Sequence, residues 1–133
     1  MKLYIKEITA LYEMANLKSK DTGELFDIWI DEVGKDRGTK HNLPRFKPKK
    51  GNVELDIVID NDVVRFDKQP TNKLHKFGPY KDALNFVEKF KKPLIMHWNH
   101  EITTYELGNI IRLVNKKKFT IDNAIQVVLN DDY

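Results

Sequence analysis

Residues 22–47 constrain the fold more than any other stretch, because a strand pattern leads directly into a glycine-containing basic segment. Polar and apolar residues alternate strictly at its start, in the order Phe26, Asp27, Ile28, Trp29, Ile30 and Asp31. This period of two predicts a half-buried strand, with Trp29 on its more polar face. Gly34 and Gly38 interrupt the pattern, so residues 35–41 are predicted to return as a hairpin.

Pro44 limits where the strand after the predicted hairpin can begin and where it can lie in a sheet. Proline fixes its own φ angle and has no N–H to donate to a sheet. We therefore expect the strand that carries Arg45 and Phe46 either to begin at Pro44 or to lie at a sheet edge.

Positive charge is concentrated between residues 35 and 50, which hold seven Lys or Arg and one Asp, whereas the whole chain has a formal net charge of +3. Such cations neutralise phosphates, and a nearby aromatic ring stacks on unpaired bases. The simpler interpretation is a solvated loop whose charges discourage edge pairing. The candidate binding residues are Trp29, Lys35, Arg37, Lys40, His41, Arg45, Lys47, Lys49 and Lys50.

Composition indicates one globular domain over residues 1–133. Of the residues, 41% are hydrophobic and 32% charged, and none is cysteine. A disulfide scaffold, a thiolate metal site and a cysteine nucleophile are thereby excluded. Charged residues begin at Lys2, and no apolar run is long enough to span a bilayer, so we expect a cytoplasmic protein without membrane contacts. No cofactor signature is present.

The N-terminal half is predicted to hold most of the strands. Residues 2–5 fit a short strand and residues 6–17 an amphipathic helix. Apolar and polar residues alternate over residues 53–59, which predicts a strand. Residues 60–62 fit a turn, and residues 63–66 fit another strand. The composition of residues 69–77 predicts a loop.

The C-terminal half is predicted to be helical. Gly78 and Pro79 precede an apolar stripe over residues 80–90, and Pro93 restarts a short helix over residues 94–98. Thr103 and Glu106 have the spacing of a capping box. Residues 119–129 fit a last helix, with a strand over residues 125–129 as the alternative. The fold class is therefore α+β, a small antiparallel sheet of three to four strands covered by helices that lie mainly in the C-terminal half.

Two further groups of residues could carry chemistry. His97, His100 and Glu101 are weak candidates for a metal site or for acid–base catalysis, because their spacing does not match a helical zinc motif. The simpler interpretation is that His97 makes a hydrogen bond at a helix end and that His100 and Glu101 form a turn. Asp27 and Asp31 could hold Mg²⁺, but we favour ion pairs with cations across the hairpin, namely Arg37 or Arg45.

Several segments resemble a family of small, uncharacterised proteins of prophages and mobile elements. The matching residues in the N-terminal half are 14–17, 22–23 (TG), 26–31 (FDIWID), 34–37 (GKDR) and 41–47 (HNLPRFK). In the C-terminal half they are Leu94, the HWN motif at His97, Trp98 and Asn99, and Glu101. The resemblance implies an accessory gene of a phage or mobile element, acting in the host cytoplasm. It implies no known activity and assigns no role to any residue.

The leading hypothesis for function is a non-enzymatic accessory protein whose basic loop contacts a macromolecular partner. That partner is either a host or element-encoded protein or a nucleic acid, and the sequence does not choose between them. One alternative is a small nuclease or toxin that uses His41, His97, His100 and Glu101. A further alternative is a minor virion or assembly component, which would expose an extended apolar patch. The oligomeric state is not indicated.

Overall fold

The computed structural model describes residues 14–24, 26–31, 43–68 and 71–130. The strands are β1 (Met14–Leu17), β2 (Asp27–Asp31), β3 (Arg45–Lys50), β4 (Val53–Glu54), β5 (Ile57–Asp60) and β6 (Val63–Phe66). The helices are α1 (Ser19–Thr22), α2 (Thr71–Phe77), α3 (Tyr80–Lys89), α4 (Lys91–Trp98), α5 (Thr104–Lys117) and α6 (Ile121–Leu129). The predicted strand at residues 2–5 and the hairpin return at residues 35–41 lie outside the described residues.

All strand pairs are antiparallel, and the sheet order is β1-β2-β3-β5-β6, with β4 also paired to β3. Strands that follow one another in the chain are therefore neighbours in the sheet, except that β4 and β5 both pair with β3. The α+β prediction is confirmed, although the sheet has more strands than the three or four expected. β3 begins at Arg45, directly after Pro44, and lies in the middle of the sheet and not at its edge.

The predicted strand at residues 53–59 is present as β4 and β5, which share one register against β3. Lys49 pairs with Glu54 and Phe46 with Ile57, so the intervening residues remain opposite one another. The Leu55 N–H still donates to the Pro48 carbonyl at 2.9 Å. Pro48 has no N–H to return, and this missing donor interrupts the ladder between the two short strands.

The turn between β5 and β6 was predicted from its composition and is confirmed. Asn61 and Asp62 both have positive φ angles, 50° and 68°, and Asp60 pairs directly with Val63. Two central residues with positive φ are typical of the tight hairpin turn that matches the twist of a sheet.

The core lies between the helices and one face of the sheet, which we call the inner face. Ile28, Phe46 and Ile57 on neighbouring strands are at most 3% exposed and pack in one cluster with α3, α5 and α6. Three aromatic pairs lie within or beside this layer, namely Phe26 with Phe77, Phe66 with Tyr80, and Phe86 with Phe90. Burial of each large apolar side chain stabilises the fold by about 1.5–3 kcal/mol.

Local signals fix where the last two helices begin. The Thr103 hydroxyl accepts from the Glu106 N–H at 3.1 Å, and the Glu106 carboxylate accepts from the Thr103 N–H at 2.8 Å. This confirms the predicted capping box. The Thr120 hydroxyl caps α6 by accepting from the Asn123 N–H. Residues 125–129 are therefore helical, and the alternative strand is wrong.

Two predictions of local structure are wrong. Met14–Leu17, placed in a helix, forms β1, because its backbone pairs with β2 along four residues. The rest of that predicted helix, residues 6–13, lies outside the described residues. Thr71–Phe77, predicted as loop, forms α2, and Phe77 is fully buried against Phe26. In both segments, contacts with distant parts of the chain outweigh local composition.

The described helices are short relative to a bilayer. The longest, α5, has 14 residues, and none in the described ranges is long and apolar enough to cross a membrane.

We predict that Lys118→Gly stabilises the protein. Lys118 ends α5 with a φ angle of 60°, and its N–H donates to the Leu113 carbonyl. A side chain is strained in this left-handed conformation, whereas glycine adopts it freely. Glycine also increases the chain entropy of the unfolded state, which offsets part of this gain. The net effect that we expect is a rise of about 0.5–1 kcal/mol in the free energy of unfolding.

Urea denaturation measures this effect. Lys116→Gly is the matched control, because Lys116 lies within α5 and glycine there should cost about 1 kcal/mol. A loss of stability in Lys118→Gly would show that the lysine side chain makes contacts that outweigh its backbone strain.

Candidate binding surfaces

The predicted binding residues Trp29, Lys47 and Lys49 lie on the face of the sheet turned away from the core, which we call the outer face. Trp29 is half-buried and pairs directly across the strands with Lys47, while Lys49 pairs with Asp27. The Lys47 ammonium lies 4.0 Å from the Glu54 carboxylate. The tryptophan is therefore surrounded by side chains of both charges.

Lys50 lies on the other side of the same strand. Its ammonium is 3.9 Å from the position that a Cβ on Gly78 would occupy, at the start of α3. Because side chains alternate along a strand, Lys50 faces the helical layer and does not join Lys47 and Lys49.

Arg45 is held by two carboxylates. Its Nη1 atom lies 2.7 Å from Asp56 and 3.0 Å from Asp67, and only 12% of its side chain is exposed. Burial alone would lower the pKa of Arg45, but hydrogen bonds to both carboxylates outweigh this effect and raise it. The hydrogen bond from Arg45 also lowers the pKa of Asp67, against the opposing effect of its burial. Arg45 thus serves as a fixed part of the sheet surface.

Arg65 extends this ion-pair network along the outer face. Its Nη2 atom lies 2.9 Å from Asp60, and its Nη1 atom donates to the Phe66 carbonyl at 3.0 Å. Val58 pairs with Arg45 on one side and with Arg65 on the other, and it is fully buried although it lies outside the core cluster. The aliphatic stems of the two arginines account for this cover, since such stems pack on apolar neighbours while their charged heads reach solvent.

The outer face carries nearly balanced charge in its described part. Its cations are Arg45, Lys47, Lys49 and Arg65, and its anions are Asp27, Glu54, Asp56 and Asp60. Asp67, which directly follows β6, adds one more carboxylate. The described cations of the basic segment on this face, Arg45, Lys47 and Lys49, are therefore offset in space by carboxylates of β2, β4 and β5, by Asp56 and by Asp67.

The carboxylate of Asp27 has a structural partner that the sequence did not suggest. One of its oxygens accepts from the Ser19 N–H at 2.7 Å, at the first residue of α1. No ion pair between Asp27 and Arg45 is among the described contacts, and the other expected pairs, of Asp31 with Arg45 and of either carboxylate with Arg37, stay a prediction. Arg37 lies outside the described residues, as do the other loop candidates Lys35, Lys40 and His41.

The histidines at the end of α4 and in the turn after it make the contacts that the simpler of the two interpretations predicts. His97 is 7% exposed, and its Nε2 atom lies 2.8 Å from the Thr104 hydroxyl. His100 has a φ angle of 62° in the following turn, beside Glu101. These residues line a depression of about 360 Å³, but no three His, Asp or Glu side chains in the described ranges are arranged to hold a metal ion.

Sequence reasoning did not identify a second depression, of about 540 Å³, on the helical side of the molecule. It lies where Glu24 meets Lys89 of α3 and the C-terminal end of α5 at Asn115 and Lys118. The Asn115 amide donates to the Thr22 carbonyl at 2.6 Å and accepts from the Lys89 ammonium at 3.2 Å. No sequence motif marks these residues, because they come from three distant segments.

The pKa of Glu24, which lines this depression, is raised above its ordinary value. Burial raises the pKa of Glu24, the charge of Asp82 raises it further, and the charge of Lys89 partly offsets both effects. No described residue forms an ion pair with its carboxylate within 4.0 Å. The carboxylate therefore faces the depression without a direct cationic partner in the described part of the chain.

Comparisons with protein-family models, with curated proteins and with solved structures found no match to this chain. The likeness to prophage and mobile-element proteins accordingly stays a prediction based on its short motifs.

We predict that Asp67→Asn lowers stability in a pH-dependent way. The folded protein holds the pKa of Asp67 below its unfolded value, so the ionised carboxylate stabilises the fold above the unfolded pKa. This contribution is lost as the pH falls through the folded pKa. We expect a loss of about 1 kcal/mol at neutral pH that shrinks between about pH 4 and pH 2.

Urea denaturation at several pH values tests this. Asp122→Asn is the control, because it removes a 76% exposed carboxylate whose surface ion pair with Lys92 contributes at most about 1 kcal/mol. A difference between wild type and Asp67→Asn that stays constant down to about pH 2 would contradict the proposed role of the Arg45 contact.

Proposed function

We propose that this chain is a non-enzymatic binding protein that docks a protein partner on the outer face of its sheet. The observation that carries the proposal is the setting of Trp29, a half-buried aromatic residue on an ordered strand with Lys47 directly opposite. Tryptophan and arginine are the residues that most often contribute strongly to binding at protein interfaces.

The charge balance of the outer face favours a protein over a nucleic acid. A protein that binds the phosphate backbone presents an excess of positive charge, which this face lacks in its described part. Interspersed charges around an aromatic residue fit a partner whose own surface carries both signs.

The fixed position of Arg45 supports the same proposal. A side chain that is already held by Asp56 and Asp67 loses little conformational freedom when a partner binds. Ordering a flexible side chain at an interface costs about 0.5–1.5 kcal/mol, so this constraint favours association. Lys47 and Lys49 would contribute mainly to the rate of encounter and to specificity.

The biological setting in this proposal comes from the resemblance alone. Accessory proteins of phages and mobile elements act on host or element-encoded molecules, and we infer that the partner is a protein of one of these two kinds. The alternative of a nuclease or toxin gains no support from the described contacts, because His97 is bonded to Thr104 and the described residues bring no metal-binding cluster together.

The alternative of a virion component gains no support either. The large apolar side chains that are most exposed among the described residues are Val63, Tyr105 and Leu129, on β6, α5 and α6. They come from three different elements, whereas such an assembly surface would need an extended apolar patch.

Affinity capture with matched aromatic variants tests the proposal. Tagged wild type, Trp29→Ala and Tyr105→Ala would be expressed in the host cell, and bound proteins measured by quantitative mass spectrometry. Tyr105 is the control because it is 68% exposed and lies on α5, away from the sheet. We expect at least one protein to be reduced about tenfold by Trp29→Ala, a change of about 1.4 kcal/mol, and unaffected by Tyr105→Ala.

The outcomes separate the two classes of partner. Equal capture by both variants would contradict the outer face as the contact surface. Labelled single-stranded RNA would be titrated in parallel over a salt series. Binding that weakens steeply with salt and is lost in the double variant of Lys47→Ala and Lys49→Ala would replace the protein partner with a nucleic acid.

A further inference from the structure

The depression beside Glu24 is separate from the outer face and contains charged groups that the proposed function leaves unused. Its volume of about 540 Å³ lies in the range of small-molecule sites, roughly 300–1,000 Å³. It is built from the turn after α1, from the side chain of Lys89 and from the end of α5. Several of its polar side chains point to the kind of ligand that would fit.

One wall of the depression is already ordered by hydrogen bonds. Asn115 joins the Thr22 carbonyl, at 2.6 Å, to the ammonium of Lys89, at 3.2 Å. The Lys89 ammonium is therefore held at a defined position on an exposed surface. A fixed charge of this kind is pre-organised to receive an anionic group, because less side-chain freedom is lost on binding.

The other two charged side chains do not neutralise each other. Lys118 and Glu24 line the same depression, yet neither forms an ion pair within 4.0 Å with a described residue. Lys118 also adopts a left-handed backbone conformation with a φ angle of 60°, where glycine is the usual residue. The residues that line the depression thus include one glutamate and two lysines.

The net charge of these groups excludes a simple anion as the best ligand. Two lysines and one glutamate give a formal charge of +1, and the C-terminal end of α5 adds roughly half a negative charge. Asp82, whose charge helps to raise the pKa of Glu24, adds a further carboxylate nearby. A multiply charged anion such as phosphate would be attracted by the lysines but repelled by Glu24 and by the helix end. A ligand with one positive and one negative group satisfies both kinds of side chain.

Apolar side chains complete the site. Val114 and the half-buried Phe119 line the depression beside the charged groups. They offer a surface of the kind that packs against an aliphatic portion of a ligand. We propose that this depression binds a small zwitterion of the class of free α-amino acids, with the ligand carboxylate on Lys89 and Lys118 and its ammonium on Glu24.

Isothermal titration calorimetry of the full chain with three related compounds tests this. L-leucine carries both charges, isocaproate keeps only its carboxylate, and isoamylamine keeps only its ammonium. We expect L-leucine to bind with a dissociation constant of about 0.1–1 mM and each half-compound to bind at least about tenfold more weakly. Glycine is the fourth probe, and we expect it to bind more weakly than L-leucine because it lacks the aliphatic group.

Two variants assign the contacts. Glu24→Gln should weaken binding of L-leucine about tenfold but should not weaken binding of isocaproate, because the change removes the ammonium contact and also a carboxylate that repels the anion. Lys118→Gly should also weaken L-leucine about tenfold. Since this change is expected to stabilise the fold, the loss cannot be attributed to unfolding. Lys116→Ala, a neighbouring lysine outside the depression, is the control and should bind L-leucine as wild type does.

Three results would overturn the proposal. The first is the absence of saturable binding by both L-leucine and glycine, and the second is equal binding of L-leucine and isocaproate. The third is L-leucine binding that is unchanged in both Glu24→Gln and Lys118→Gly. None of these depends on the outer face, so the zwitterion site and the proposed protein partner can fail or succeed independently.

Discussion

The fold depends on removal of the inner face of the sheet from water by the helical layer. Ile30, Phe46 and Ile57 lie side by side across three strands and are almost completely buried. An isolated antiparallel sheet cannot cover such a row, so α3, α5 and α6 must pack on it. Once the helices occupy this side, the outer face is the surface that the described strands leave for a partner.

Ion pairs between arginines and carboxylates order the outer face, and they also determine its net charge. Arg45 and Arg65 flank Val58 across the strands, and their guanidinium groups are held by Asp56, Asp60 and Asp67. The same pairs that cover an apolar residue therefore neutralise most of the positive charge that arginine could contribute. A row of basic residues in sequence does not produce a basic surface when the neighbouring strands supply carboxylates. For this reason the described charges favour a partner with a mixed surface over a polyanion.

Sequence patterns predicted those elements whose signals are local. The alternation around Ile28 located β2, and the spacing of Thr103 and Glu106 located the start of α5, because each pattern reflects contacts within a few residues. Met14–Leu17 was misassigned since its strand conformation comes from pairing with β2, which its own residues do not encode. Thr71–Phe77 was missed because two apolar residues, the buried Phe77 and the partly buried Leu74, anchor an otherwise polar helix.

The candidate sites show the same limit more strongly. Trp29 was identified because its strand face follows from alternation, but the partners of Arg45 lie 11 and 22 residues further along the chain. Those partners become evident only when the register of β3 with β5 and of β5 with β6 is known. The depression at Glu24 depends on a hydrogen bond between Thr22 and Asn115, which are 93 residues apart. No periodicity or motif in one sequence reports a contact over that separation.

The four-residue helix α1 links the two surfaces physically. Its first N–H, at Ser19, donates to the carboxylate of Asp27 on the outer face of β2, and the carbonyl of its last residue, Thr22, accepts from Asn115 in the depression. Such a short helix has little stability of its own, so its position depends on these two contacts and on the packing of its ends. Glu24 lies two residues after the end of α1, and the Thr22 hydroxyl accepts from its N–H at 3.2 Å, so the residue that we assign to ligand binding is positioned by the same element. If α1 couples the two surfaces, thermodynamic linkage makes the coupling reciprocal. A ligand in the depression that changes the affinity of the outer face for a partner must have its own affinity changed by the same factor when the partner is bound.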